Sequence, residues 1–167
     1  MKKNRTYRQQ TVHLTQAAII AALYIVLTFF ANALGLANYA VQIRFSESLC
    51  ILPYFSSAAI PGLFIGCLLS NIITGCALPD IVFGSIATLI GAFATYLLRK
   101  NKWLAPIGPI ISNAMIVPLV LLYAYGIQPL WLSFITVTAG ELISCGILGM
   151  LLLFSLEKYK HLLFPIN

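Results

Sequence analysis

The chain is 167 residues long, 60% hydrophobic and only 8% charged, with a mean hydropathy of +0.95. A soluble domain carries about 25% charged residues, so water is not the main solvent of this chain. Its net charge of +6 does not argue for nucleic acid, because the bases stand in short clusters at the ends of apolar runs rather than on a solvated face.

A hydrocarbon core about 30 Å thick takes roughly 20 helical residues to cross. Six spans follow in chain order, at 14–34, 46–57, 58–77, 80–98, 104–125 and 130–156. They predict an all-α integral membrane protein, a single transmembrane unit over 1–167 that starts with a short basic segment, 1–13. Lys2, Lys3, Arg5 and Arg8 before an apolar run, with Ala31-Asn32-Ala33 after it, resemble a secretory signal. The apolar run exceeds the usual length of such a signal and membrane sequence continues beyond it, so it reads as a retained first helix. The second span is short enough to be an interfacial or re-entrant piece.

Orientation follows from the bases. With a cytoplasmic N-terminus, all ten Lys and Arg except Arg44 fall on the cytoplasmic side. Omitting the short second span would put Arg99, Lys100 and Lys102 on the opposite side from Lys158 and Lys160. An even number of spans with both termini inside is therefore expected. Tyr123, Tyr125 and Trp131 then lie at outer helix ends and Trp103 at an inner one, as interfacial aromatic belts require.

Charge inside a bilayer is costly, so each acid needs a partner or a task. Of the four acids, Glu157 sits beside Lys158 at a helix end. Glu47 opens the second span, where it either pairs with Arg44 or faces a ligand. Asp80 opens the fourth span, as a helix N-cap or a ligand contact. Glu141 lies roughly 15 Å into the sixth span, at about 1.5 Å per residue, and a carboxylate at that depth beside Gly140 implies a polar cavity. Asn71 and Asn113 sit at similar depth, as inter-helix hydrogen bonds or as site residues. Cys50, Cys67, Cys76 and Cys145 lie in apolar stretches without a C-x-x-C pair, which gives no support to a metal or disulfide framework. No nucleotide-binding, zinc or soluble catalytic motif is present, and no cofactor is expected.

Between the first two spans, residues 38–45 alternate. Tyr39, Val41, Ile43 and Phe45 share one side of an extended strand, and Asn38, Gln42 and Arg44 share the other. Such an extended outer loop can lid a ligand cavity. Ala17, Ala18, Ala21 and Ala22 form two small-xxx-small pairs on adjoining faces of the first span. Gly62 and Gly66 repeat that spacing in the third span, and Gly84, Ala87, Gly91 and Thr95 repeat it loosely in the fourth. These faces let helix backbones approach closely, either within the chain or against another membrane protein.

The segment Gln42-Ile43-Arg44-Phe45-Ser46-Glu47-Ser48-Leu49, with Leu52-Pro53 after it, resembles QueT-type queuosine-precursor transporters. So do Pro61-Gly62-Leu63-Phe64-Ile65-Gly66, Ser70-Asn71, and Asp80-Ile81-Val82-Phe83-Gly84-Ser85. These are substrate-binding S components of energy-coupling-factor transporters, and the resemblance covers essentially the whole chain. It implies a six-helix S-component bundle that binds its cargo on the outer side. A separate membrane scaffold subunit and two ATPase subunits then supply the coupling. The resemblance also implies that the alanine face of the first helix, Ala17, Ala18, Ala21 and Ala22, meets the scaffold.

A deazaguanine presents two N–H donors and a carbonyl on one edge, and its aminomethyl form is a cation. Carboxylates accept from such donors, while Asn, Gln or Arg donate to the carbonyl. Flat rings stack on aromatics such as Trp131 or Tyr39. The expected substrate contacts are Gln42, Arg44, Glu47, Asn71, Asp80, Asn113, Trp131 and Glu141, with Glu141 holding the donor edge. An S component or stand-alone permease for another small cationic heterocycle is the alternative. An intramembrane aspartyl-type hydrolase using Asp80 and Glu141, or a structural adaptor, are more remote ones.

Overall fold

The computed structural model describes residues 2–35 and 43–164, and every regular element within them is a helix. Helix α1 runs Lys2–Ala33, a 3-10 helix covers Phe45–Tyr54, and α2 is Ala59–Ile73. Helix α3 is Asp80–Leu98, α4 is Ile107–Tyr125, α5 is Leu130–Glu157, and a final turn, α6, is Lys160–Leu163. The basic segment forms the first turns of α1. Among the described residues four stretches are long and apolar enough to cross a membrane: Gln9–Ala33, Asp80–Leu98, Ile107–Tyr125 and Leu130–Glu157. Helix α2 is apolar but shorter. Large side chains such as Phe29, Phe93, Met115 and Leu151 are exposed on their flanks, which lipid accepts and water does not.

Small residues set the helix approaches. A Cβ built on Gly62 would lie 2.7 Å from the Ala17 carbonyl oxygen, and one on Gly66 would lie 2.8 Å from Tyr24 Cβ. Helices α1 and α2 therefore meet backbone to backbone along Ala17 and Ala21, both buried, while Ala18 and Ala22 stay exposed. The expectation that all four alanines form a partner face is corrected here, because Ala17 and Ala21 are covered by α2. Helices α3 and α4 repeat the device. A Cβ on Gly91 would fall 2.6 Å from Pro109 Cα, and one on Gly108 would fall 2.7 Å from Ala94 Cβ.

The 3-10 helix sits inside the bundle, against α1, α2, α3 and α5. Ser46, Glu47, Leu49, Cys50, Ile51, Leu52 and Pro53 are all buried along it. At about 2.0 Å rise per residue its ten residues reach roughly 20 Å, short of a 30 Å hydrocarbon core. It is an enclosed helix rather than a lipid-facing or interfacial one. Its apolar side chains join Ile20, Tyr24, Leu63, Cys67, Cys145 and Leu153 in the main core. Of the alternating loop, Ile43, Arg44 and Phe45 lie within the described residues; Arg44 is extended with φ −104° and ψ 105°, and Phe45 opens the 3-10 helix. Gln42 and Tyr39 lie outside them.

At the end of the bundle where α3 finishes, Lys102 Nζ stands 3.3 Å from Glu157 Oε2, tying the α3–α4 connection to the end of α5. Both side chains are about a third exposed, so this pair contributes at most ~1 kcal/mol. Arg99, Lys100, Lys158 and Lys160 gather at the same end. The opposite end holds the last turn of α1, the α2–α3 connection and the end of α4.

Candidate ligand-binding site

Two departures from regular helix place the acids. Helix α3 opens with a π turn, Asp80–Gly84, and α5 carries a π stretch, Leu142–Leu148, directly after Glu141. Such turns widen the helix by one residue, re-aim the side chains beside them and recur at functional sites. Asp80 and Glu141 both end up buried.

A cavity of about 240 Å³ occupies the end of the bundle remote from the Arg99–Lys102 and Lys158–Lys160 clusters. Thr28, Asn32, Arg44, Asn71, Asp80 and Tyr125 supply its polar wall, and Leu121 and Ile127 an apolar one. Asp80 Oδ2 accepts a hydrogen bond from the Tyr125 hydroxyl at 3.2 Å, and the Asp80 carbonyl accepts one from Asn71 Nδ2 at 3.4 Å. Asp80 Oδ1 is buried and has no hydrogen-bond partner among the described residues. A Cβ on Gly84 would lie 3.0 Å from that oxygen, so the glycine keeps its flank open. The other such buried side-chain atom among the described residues is Ser144 Oγ, which lines neither cavity described here. Asp80 does not cap α3 with its side chain, and Arg44 forms no ion pair with Glu47; among the described residues Lys102–Glu157 is the sole salt bridge.

Glu47 instead belongs to a buried network. It accepts from the Tyr24 hydroxyl, from Cys50 Sγ at 3.1 Å and from Asn113 Nδ2 at 3.4 Å. Asn113 also donates to Glu141 Oε1 at 2.9 Å, and Cys145 Sγ lies 3.3 Å from Glu141 Oε2 and 3.1 Å from the Glu47 carbonyl. One amide thus bridges two carboxylates from the 3-10 helix and α5. Glu47, Glu141 and Cys145 bring donor atoms within 4.8 Å of one another, the spacing a metal ion needs. Tyr24, Cys50 and Asn113 donate to Glu47, and Asn113 and Cys145 stand against Glu141, so hydrogen bonds account for the cluster. A second void, of about 10 Å³, touches Glu141, Asn113 and Thr88, and Arg44 borders both spaces.

The expected contacts therefore divide. Arg44, Asn71 and Asp80 line the larger cavity, while Glu47, Asn113 and Glu141 form the enclosed network beside it. Trp131 is 64% exposed on the surface of α5 and does not line the cavity, which corrects its expected stacking role. Tyr125 is an addition. Its place at a helix end made it an interfacial aromatic by pattern, and no spacing rule pairs it with a residue 45 positions earlier.

A polar cavity set into one end of a helical bundle whose flanks expose large apolar side chains marks a membrane protein. The chain belongs to the QueT transporter family, whose description matches residues 14–158. A curated relative, the queuosine precursor transporter QueT of Lactococcus lactis subsp. cremoris (strain MG1363), is 33% identical over 90 residues. That stretch is 54% of this chain and spans 50% of the relative's length. No solved structure matches the chain.

Proposed function

We propose that this chain is the substrate-binding membrane subunit of an energy-coupling-factor importer and that its cargo is a queuosine precursor, a deazaguanine such as the aminomethyl form or queuine. Family membership and the name of the Lactococcus relative support the cargo class. In this reading uptake is driven by ATP in separate subunits, a membrane scaffold and two ATPases. Ala18 and Ala22, the exposed small pair on α1, are the face offered to that scaffold. The chain resides in the plasma membrane with the basic end in the cytoplasm and the cavity outside.

One observation carries the reading. The cavity wall combines Asp80, whose buried Oδ1 lacks a donor among the described residues, with Arg44, whose side chain makes no hydrogen bond or ion pair among them. A deazaguanine edge is the complement: its adjacent N–H groups reach Asp80, and its carbonyl reaches Arg44 or Asn71. A volume near 240 Å³ suits a fused bicyclic ring rather than a drug-sized ligand. Asp80, Glu47 and Glu141 against Arg44 leave the region acidic, which favours an aminomethyl cation.

The test is calorimetric binding of the aminomethyl deazaguanine to the purified protein, wild type and Asp80→Asn. Loss of a bond to a charged group, about 1.5–3 kcal/mol, lowers affinity by roughly tenfold to 150-fold. Binding of thiamine-like cations with no binding of the deazaguanine would overturn the substrate assignment. Uptake by the chain in vesicles without partner subunits would overturn the division of labour.

A further inference from the structure

We infer that Tyr125 is a specificity-determining residue of this cavity, acting by fixing the rotation of the Asp80 carboxylate so that a donor-rich ligand edge is preferred. The inference rests on the proposed deazaguanine reading and assigns a role that the family description does not supply.

The Tyr125 hydroxyl has two partners. It accepts from the Ala77 backbone N–H at 3.0 Å and donates to Asp80 Oδ2 at 3.2 Å. A phenol has one proton, and because the Ala77 N–H occupies its acceptor side, that proton points at Asp80. Ala77 lies in the α2–α3 connection, Asp80 opens α3 and Tyr125 ends α4, so one hydroxyl joins three parts of the cavity rim. Its own position is built. Gly126, at φ 67°, closes α4 in the left-handed conformation, with its N–H on the Leu121 and Leu122 carbonyls. The Ile127 N–H bonds the Leu121 carbonyl at 3.1 Å, which folds the chain back so that Ile127 also lines the cavity.

With Oδ2 hydrogen-bonded to Tyr125, the rotation of the carboxylate is restrained, and Oδ1 is held close beside Gly84. A held acceptor rewards a ligand that puts N–H donors there and rejects one that lacks them, since the buried oxygen then stays unpaired. A freely turning carboxylate would adapt to either ligand and discriminate less.

The experiment compares two compounds, the aminomethyl deazaguanine and its analogue lacking the exocyclic 2-amino group, on wild type, Tyr125→Phe and Asp80→Asn. Tyr125→Phe keeps the ring at a position 44% exposed, and monodispersity and melting temperature are checked for each variant. Wild type should prefer the 2-amino compound by about tenfold, one hydrogen bond to a charged acceptor, and Tyr125→Phe should bind both compounds nearly equally. Asp80→Asn should erase the preference as well, so an unchanged ratio in that variant overturns the proposal even if Tyr125→Phe does not fold. An unchanged affinity ratio in either variant would overturn the role of Tyr125 acting through Asp80 and leave the cargo assignment standing. Wild-type failure to bind either compound would overturn both.

Discussion

At Gly84 the free oxygen of Asp80 and the side chain of Asn71 converge on a position with no side chain, and one methyl group there tests whether that opening matters. The added carbon would sit 3.0 Å from Oδ1 and 3.4 Å from Asn71 Nδ2, tighter than ordinary contact at the first. Gly84→Ala should therefore weaken binding of the aminomethyl deazaguanine with little change in melting temperature, measured by calorimetry and thermal unfolding. Glu141→Gln should cost less affinity than Asp80→Asn, because Glu141 already has Asn113 and Cys145 as partners and faces the smaller void. Equal losses would move ligand recognition into the inner network. Asp80, Arg44 and Glu141 stand out in the sequence because charge is so scarce in it. That Glu47 meets Glu141 through Asn113 does not, since the pairing depends on where three separated segments come to rest.

Among the elements, α1 has two small-residue faces with opposite fates. The Ala17/Ala21 face packs on Gly62 and Gly66, and Tyr24, one turn on, both touches Gly66 and bonds Glu47. Gly66→Ala forces α1 and α2 apart and should cost about 1–3 kcal/mol of stability, the usual penalty of overpacking, read as a lower melting temperature. It should also weaken ligand binding by displacing Tyr24. Ala22→Leu, on the exposed face, should leave melting temperature and ligand affinity unchanged while reducing scaffold co-purification; intact association would remove Ala22 from the proposed interface. Hydropathy marks the long helices well: Asp80–Leu98 is read to the residue, and α1, α4 and α5 end within a residue of expectation. It cannot mark the 3-10 helix as enclosed. A ten-residue apolar run reads alike whether lipid or protein surrounds it, and here the packing of α1, α2, α3 and α5 decides.

For the molecule as a whole, the separation of the basic end from the cavity end makes orientation measurable with a native side chain. Cys50, Cys67 and Cys145 are buried, whereas Cys76 is half-buried at the cavity. A membrane-impermeant maleimide added outside intact cells should label Cys76, saturating aminomethyl deazaguanine should slow that labelling, and Lys158→Cys should stay unlabelled. Labelling at residue 158 from outside would invert the proposed topology. The enclosed 3-10 helix also sets an order of assembly. Its residues leave the ribosome early, yet the Glu47 side chain waits for Asn113 and its carbonyl for Cys145, 98 positions later. Until α4 arrives, an ionisable group stands in the membrane with Tyr24 and Cys50 as its only side-chain hydrogen-bond partners among the described residues, the kind of exposed polarity that quality-control proteases recognise. A nascent chain halted before residue 130 thus has the helices that hold Asp80 and Tyr125 but no sealed interior, so loss of the last helix registers as a failure of maturation before it registers as a failure of transport.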